Sequence, residues 1–233
     1  MYCKKIFITL LLFTVCLFGA TKRYDIKSGI VEYTITGQGE TMGVTSSIKG
    51  SAKLIFKEYG LVEVEKETLT EHVMGQTQTM QEFSKYEDGL VYSVDYEEKL
   101  IYKQDVSKLD NSQTAALMGE SGLKSIGAKK VGTETILKVS CDVWKLDDMK
   151  LCLYKGIPLK IETNMMGYSQ TQIAKKVNFN IAIDDNEFLL PNYPIKTMDS
   201  VKSEFQKEME NMTPEEKKMM EQMMQKMKMF NNQ

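Results

Sequence analysis

The chain contains few side chains that could perform chemistry. His72 is the single histidine, so paired-histidine metal sites and most general-base schemes lack a second imidazole. Two of the four cysteines, Cys141 and Cys152, flank a predicted turn. Methionine is unusually frequent, with 17 in the chain, and eight of them fall within residues 209–229. We therefore predict a protein that is not an enzyme and needs no cofactor.

Cys141 and Cys152 lie on the two arms of a predicted β-hairpin. Apolar and polar residues alternate over residues 139–144, as expected for a strand with two different faces. A turn centred on Leu146 and Asp147 places the cysteines opposite each other and close enough for a disulfide, whereas a four-residue loop shifts that register. An even pair in an exported chain favours a disulfide over a metal site or a nucleophile, with two unpaired buried thiols as the alternative.

The first 20 residues have the layout of a secretory signal peptide. Lys4 and Lys5 precede an apolar and uncharged run from Ile6 to Ala20. That run is shorter than the roughly 20 residues of a membrane span. We predict cleavage after residue 20 and a periplasmic location, with an uncleaved anchor as the alternative. Cleavage removes two lysines and changes the net charge from -2 to -4. Such a mildly acidic chain without a basic patch is not expected to bind nucleic acid.

The elements that would position the cysteines form a domain over residues 21–196. About six strands follow one another with short connections up to Tyr102, which indicates antiparallel neighbours. A short helix is predicted over residues 112–118, ended by Gly119 and Gly122. The cysteine hairpin and a strand reaching Ile183 complete the domain. The predicted fold class is mainly β: a curved antiparallel sheet, or unclosed half-barrel, with one short crossing helix.

Residues 197–233 change to a helical period and form a predicted methionine-rich tail. Thr213 and Pro214 give a strong start for a second helix. The methionine stripe along that helix has three interpretations. It packs as an ordinary amphipathic face, it forms a pliable lid over an apolar ligand, or it binds Cu(I) through thioethers. The methionines concerned are Met219, Met220, Met223, Met224 and Met227 for the lid, and the last four for Cu(I).

Three segments also carry a family resemblance. They are Lys129 to Thr135, Cys141 to Trp144, and Gly156 to Lys160. With the strand succession over residues 25–195, they resemble a bacterial periplasmic domain family of unassigned function. That family is similar in fold to the outer-membrane lipoprotein carriers and their receptor, the lipoprotein localisation factors. The resemblance implies an unclosed barrel around helices, whose apolar concave side holds acyl chains in the carriers. It supplies no catalytic residue, and the hairpin cysteines and the methionine tail depart from the carriers.

The strands of the cysteine hairpin are partly apolar on both faces, which fits a curved sheet with a core or cavity on one side and helices on the other. Ordinary core packing explains this pattern equally well. For a cavity, the predicted ligand-binding residues are Trp144, Leu151 and Leu153, together with the five methionines of the lid. The leading hypothesis is a non-enzymatic periplasmic protein that binds a lipid or another apolar molecule. The alternatives are a Cu(I)-handling module and a structural protein whose tail docks an envelope partner. The sequence does not indicate an oligomeric state.

Overall fold

Twelve β-strands form one sheet in the computed structural model, which describes residues 22–41, 43–108, 119–165, 167–211 and 213. The strands are β1 (Gly29–Thr41), β2 (Val44–Lys57), β3 (Val62–Val73), β4 (Gln76–Glu87), β5 (Leu90–Asp95), β6 (Leu100–Asp105), β7 (Lys129–Ile136), β8 (Val139–Leu146), β9 (Met149–Tyr154), β10 (Ile157–Met165), β11 (Tyr168–Phe179) and β12 (Ile195–Thr197). Two α-helices are described, α1 (Gly119–Ser125) and α2 (Met198–Asn211). Three 3-10 turns complete the elements, at Glu58–Gly60, Val106–Lys108 and Asp185–Phe188.

The sheet consists of two antiparallel meanders joined in the middle. Its strand order is β12-β6-β5-β4-β3-β2-β1-β11-β10-β9-β8-β7. Strands β1 to β6 form the first meander and β7 to β11 the second, and the pairing of β1 with β11 joins them. Strands β12 and β7 lie at opposite edges, so the sheet does not close. The predicted mainly-β, unclosed sheet with a short helix is confirmed. Strand β12 was not predicted, and it pairs with β6 in parallel.

Three clusters of apolar side chains stabilise the two meanders. The largest brings β1 and β2 together with β9 and β10, and it includes Tyr33, Phe56, Ile157 and Leu159, none of them more than 1% exposed. A second cluster contains Ile55, Val62, Val64, Phe83 and Ile101, covered by Phe188. The third joins α1 to β8 and β9. No helix in the described part of the chain is long and apolar enough to cross a membrane.

The disulfide between Cys141 and Cys152 is confirmed, with a Sγ–Sγ distance of 2.04 Å and a Cα–Cα distance of 5.4 Å. The predicted register was wrong by two residues, because Val143 and not Cys141 lies opposite Cys152. The turn is centred on Asp147 and Asp148, the left-handed residue being Asp147 with φ 46°. The bond therefore joins diagonal neighbours, and both cysteines are buried in the largest cluster.

Two predicted element ends were also wrong. The last long strand ends at Phe179, and Ile183 packs instead against the second cluster. The segment after β11 is held in place by ion pairs from Asp185 and Glu187 to lysines of β2 and β3. Helix α1 begins at Gly119 and continues through Gly122, so Gly122 does not end a helix. The predicted helix over residues 112–118 falls outside the described residues and stays a prediction.

Replacing both hairpin cysteines tests the contribution of the disulfide. Cys141→Ala/Cys152→Ala is expected to lower the free energy of unfolding by about 2–3 kcal/mol, the range for a disulfide that closes a short loop. The main cause is the conformational entropy that the unfolded chain gains without the crosslink. Urea unfolding measures this difference. The matched control is the wild type under a reducing agent, whose midpoint is expected to fall near that of the variant. Equal stability of oxidised wild type and variant would contradict the prediction.

Candidate functional site

A cavity of about 580 Å³ lies between the two meanders. The first meander contributes side chains from β1 to β5, and the second contributes side chains from β8 to β11. Because both halves of one sheet border the same space, the sheet curves around it. The apolar part of the wall comes mainly from β2, β8, β9, β10 and the region of α1, and includes Leu54, Leu123, Ile126, Leu146, Leu151 and Ile161.

Helix α1 covers the cavity on the side of the cysteine hairpin. Leu123 of this helix packs with Ala128, Trp144 and Leu153, and each of the four is at most 7% exposed. The ammonium of Lys124 lies 5.4 Å from the centre of the Trp144 ring, within the range of a cation–π contact. Leu153 therefore both supports the helix and lines the cavity, whereas Trp144 belongs to the supporting cluster and is not part of the cavity wall.

The segment at the start of the described chain joins the turns of the two meanders. The backbone N–H groups of Arg23 and Tyr24 both donate to the carbonyl oxygen of Tyr59, each at 3.0 Å. The next N–H, of Asp25, donates to the carbonyl oxygen of Lys155 at 3.0 Å. Tyr59 lies in the turn between β2 and β3, and Lys155 in the turn between β9 and β10. These bonds hold Arg23 and Tyr24 in the cavity wall.

Glycine is required in both of those turns. Gly60 and Gly156 have φ values of +82° and +84°, which L side chains rarely adopt. A Cβ at Gly156 would lie 2.5 Å from the carbonyl oxygen of Arg23, and one at Gly60 would lie 2.7 Å from the Tyr24 ring. The chain passes so closely over Gly60 and Gly156 that neither position has room for a side chain.

Arg23 and Glu63 form a buried ion pair at one end of the cavity. The Arg23 side chain is 8% exposed and that of Glu63 is 12% exposed, with Nη1 of Arg23 3.2 Å from Oε1 of Glu63. The Tyr24 hydroxyl donates to the other carboxylate oxygen. The guanidinium also lies 4.8 Å from the centre of the Tyr86 ring. Burial alone would lower the pKa of Arg23, but the Glu63 carboxylate raises it, so the guanidinium stays charged.

Glu65 follows Glu63 on the same face of β3 and also lines the cavity. Burial raises the pKa of Glu65, and the neighbouring Glu63 carboxylate raises it further. A hydrogen bond with Gln172, itself 9% exposed, acts in the opposite direction. The polar end of the cavity thus contains one neutralised ion pair and one further carboxyl group whose pKa lies above its ordinary value.

A second, more polar groove of about 660 Å³ adjoins the cavity and shares Glu65 and Ser84 with it. Glu67 of β3 lies directly across from Glu82 of β4 in this groove. Burial, together with the Glu65 and Glu82 carboxylates, raises the pKa of Glu67 to about 7. A row of acidic side chains therefore leads from the apolar cavity into the polar groove.

The other residues that the sequence suggested lie elsewhere. His72 is exposed on the hairpin of β3 and β4, and its Nδ1 lies 2.8 Å from the Thr77 hydroxyl oxygen. Met219, Met220, Met223, Met224 and Met227 fall outside the described residues, so their predicted roles stay predictions. Among the residues that the structure describes, no group of three His, Cys, Asp or Glu side chains is arranged to hold a metal ion.

The polar end of the cavity was missed from the sequence. Arg23 is the third residue after the predicted signal peptide. At that place Lys22 and Arg23 are explained simply as the return of charged residues after the apolar run. Glu63, Glu65 and Glu67 alternate with buried residues such as Val62 and Val64, a pattern that normally marks a solvent-facing side of a strand. One indication was available, because Glu82 of β4 lies directly opposite Glu67 of β3. Two like charges in such a cross-strand pair destabilise a sheet, so the pair suggests a special environment.

No protein-family model matches the chain, and no curated protein matches it. Similar solved structures include an uncharacterized conserved protein from Thermus thermophilus, with 8% identity, a TM-score of 0.40, and coverage of 72% of this chain and 90% of that chain. A putative outer membrane lipoprotein-sorting protein domain from Vibrio parahaemolyticus has 12% identity, a TM-score of 0.26, and coverage of 71% and 91%. A DUF1329 family protein from Desulfovibrio piger has 9% identity, a TM-score of 0.29, and coverage of 71% and 90%.

All three TM-scores lie below 0.5.

Glu67 should make stability depend on pH. Its folded pKa of about 7 exceeds the ordinary 4.5, so its contribution to stability is complete below pH 4.5 and is lost as the pH rises through 7. Relative to Glu67→Gln, the wild type is therefore expected to lose stability between pH 4.5 and about pH 8. Urea unfolding across this range measures the difference.

The matched control for this experiment is Glu71→Gln on the same strand, whose cross-strand neighbour is Gln78 and not a carboxylate. If wild type and Glu67→Gln show parallel stability profiles, burial and the neighbouring carboxylates do not raise the pKa of Glu67 as stated.

Proposed function

We propose that the protein binds a lipid or another apolar molecule in the cavity between the two meanders and catalyses no reaction on it. The observation that supports this proposal is the cavity itself. Its volume of about 580 Å³ lies within the roughly 300–1,000 Å³ typical of small-molecule sites. Leucine and isoleucine side chains from both meanders and from the region of α1 line it, and they would be favourably covered by an apolar ligand.

The second part of the proposal is that this binding takes place in the periplasm. The Cys141–Cys152 disulfide supports an oxidising compartment outside the cytoplasm, because cytosolic thiols are kept reduced. The apolar run from Ile6 to Ala20 supports export by a signal peptide. A protein that encloses an apolar molecule in this compartment would shield it from water.

A larger side chain in the cavity wall tests whether an apolar molecule binds there. Leu151 lines the cavity, so Leu151→Trp is expected to occupy part of its volume and to weaken binding of an environment-sensitive apolar dye by at least about tenfold. Leu189→Trp is the matched control, because Leu189 is 64% exposed and lies outside the cavity wall. Dye titration measures both. Wild-type affinity in a folded Leu151→Trp protein would contradict binding in this cavity.

The methionine tail remains a proposed lid, and Cu(I) binding is the alternative for the same residues. The variant Met220→Leu/Met223→Leu/Met224→Leu/Met227→Leu keeps the apolar stripe but removes four thioethers. We expect this variant and the wild type to compete equally with a Cu(I) chelator. A loss of Cu(I) binding confined to the variant would favour the metal-handling alternative. Loss of a co-purifying envelope protein on removal of residues 198–233 would instead favour partner docking.

A further inference from the structure

We propose that the ligand carries an uncharged head group that accepts hydrogen bonds, such as an ester or amide carbonyl, and that this group binds Arg23 at the polar end of the cavity. The inference rests on the proposed function, since it assumes that an apolar molecule occupies the same cavity. It adds the chemical class of that molecule: a neutral amphiphile, and not a fatty acid, an alkyl phosphate or an alkylamine.

Arg23 supplies the unmet hydrogen-bonding capacity. Its side chain is buried and borders the cavity. Among the described residues, neither Nε nor Nη1 of Arg23 has a hydrogen-bond partner. The Glu63 carboxylate is 3.2 Å from Nη1 but outside hydrogen-bonding geometry. Buried donors without an acceptor cost free energy, so an acceptor on the ligand would be favoured there.

The charges around Arg23 disfavour an anion as that acceptor. Glu63 already neutralises the guanidinium, and Glu65 lies on the same wall of the cavity. The nearby ammonium of Lys85 is 2.7 Å from the Glu87 carboxylate and is neutralised as well. A sulfate, phosphate or carboxylate would therefore add a negative charge next to Glu63 and Glu65 in a poorly solvated space.

A cationic head group fails for a different reason. An ammonium group has donors only and leaves Nε and Nη1 of Arg23 unpaired. It would also lie beside a guanidinium that cannot lose its proton. A carbonyl oxygen satisfies the donors without adding charge, and Gln172 and Glu65 beside it can bond to a hydroxyl of the same head group.

The adjoining polar groove gives the head group a direction in which to extend. Glu65 and Ser84 border both spaces, so a group at Arg23 that is larger than a carbonyl would continue past them. Glu67 and Glu82 line that path, which again disfavours an anion. Hydroxyl-bearing head groups, such as glycerol, match these acceptors.

Three probes with the same alkyl length test the head group: monopalmitoylglycerol, hexadecyl sulfate and hexadecylamine, each used below its micelle concentration. Displacement of a cavity-bound dye from the non-reduced protein gives the three affinities. Monopalmitoylglycerol is expected to bind at least about tenfold more tightly than either charged probe. Tightest binding of the sulfate or the amine would overturn the inference.

Two conservative variants test the residues involved. Glu65→Gln has nearly the same shape but cannot be charged, so it is expected to strengthen hexadecyl sulfate binding and to narrow the preference for the neutral probe. Arg23→Lys keeps a positive charge but loses Nε, and it is expected to weaken monopalmitoylglycerol more than hexadecylamine. Unchanged ratios in both folded variants would overturn the assignment of the head group to this end.

The probe series also separates the two proposals. If all three probes bind with similar affinity and Leu151→Trp weakens them all, the apolar cavity is functional and only the head-group inference fails. If none of the probes binds and none displaces the dye, the proposed function fails together with the inference.

Discussion

The joining of the two meanders is the constraint on which the rest of the structure depends. Pairing of β1 with β11 makes one sheet, but it fixes only the middle of that sheet. The short segment from Arg23 to Asp25 adds backbone hydrogen bonds to the turn at Tyr59 in the first meander and to the turn at Lys155 in the second. These bonds satisfy backbone polar groups of the segment and of both turns, and they tie the two halves together beside the cavity.

The same segment places the charged Arg23 side chain in an apolar interior, and burying that charge costs free energy unless it is paired. Removing one partner of a buried ion pair costs on the order of 3–5 kcal/mol, whereas apolar replacement of both partners is often neutral. An Arg23–Glu63 pair is therefore not needed for stability alone. The pair lies at the end of an apolar cavity, and donors of Arg23 are unpaired among the described residues, which supports the proposal that it takes part in ligand recognition. In the proposed function, the apolar walls supply affinity and the polar end selects the head group of the ligand.

Local patterns in the sequence predicted the parts of the structure that local physics determines. Alternation predicted most strands, and the spacing of Cys141 and Cys152 predicted their disulfide, because a hairpin keeps residues close that are close in sequence. The register was missed because two consecutive acids, Asp147 and Asp148, can both occupy the turn. The ligand-site prediction included Leu151 and Leu153, but not Arg23 or Glu65. Those residues come together only because the two meanders pair, and no local sequence pattern predicts that pairing.

The central claim is that the cavity between the meanders holds an apolar molecule. Its most direct test is native mass spectrometry of the protein purified from periplasm without reduction and without added ligand, followed by extraction with organic solvent. We expect an extra bound mass in the lipid range that the solvent releases and that the Leu151→Trp protein lacks. A consistently bare mass, in a protein that also fails to take up an apolar dye, would contradict it.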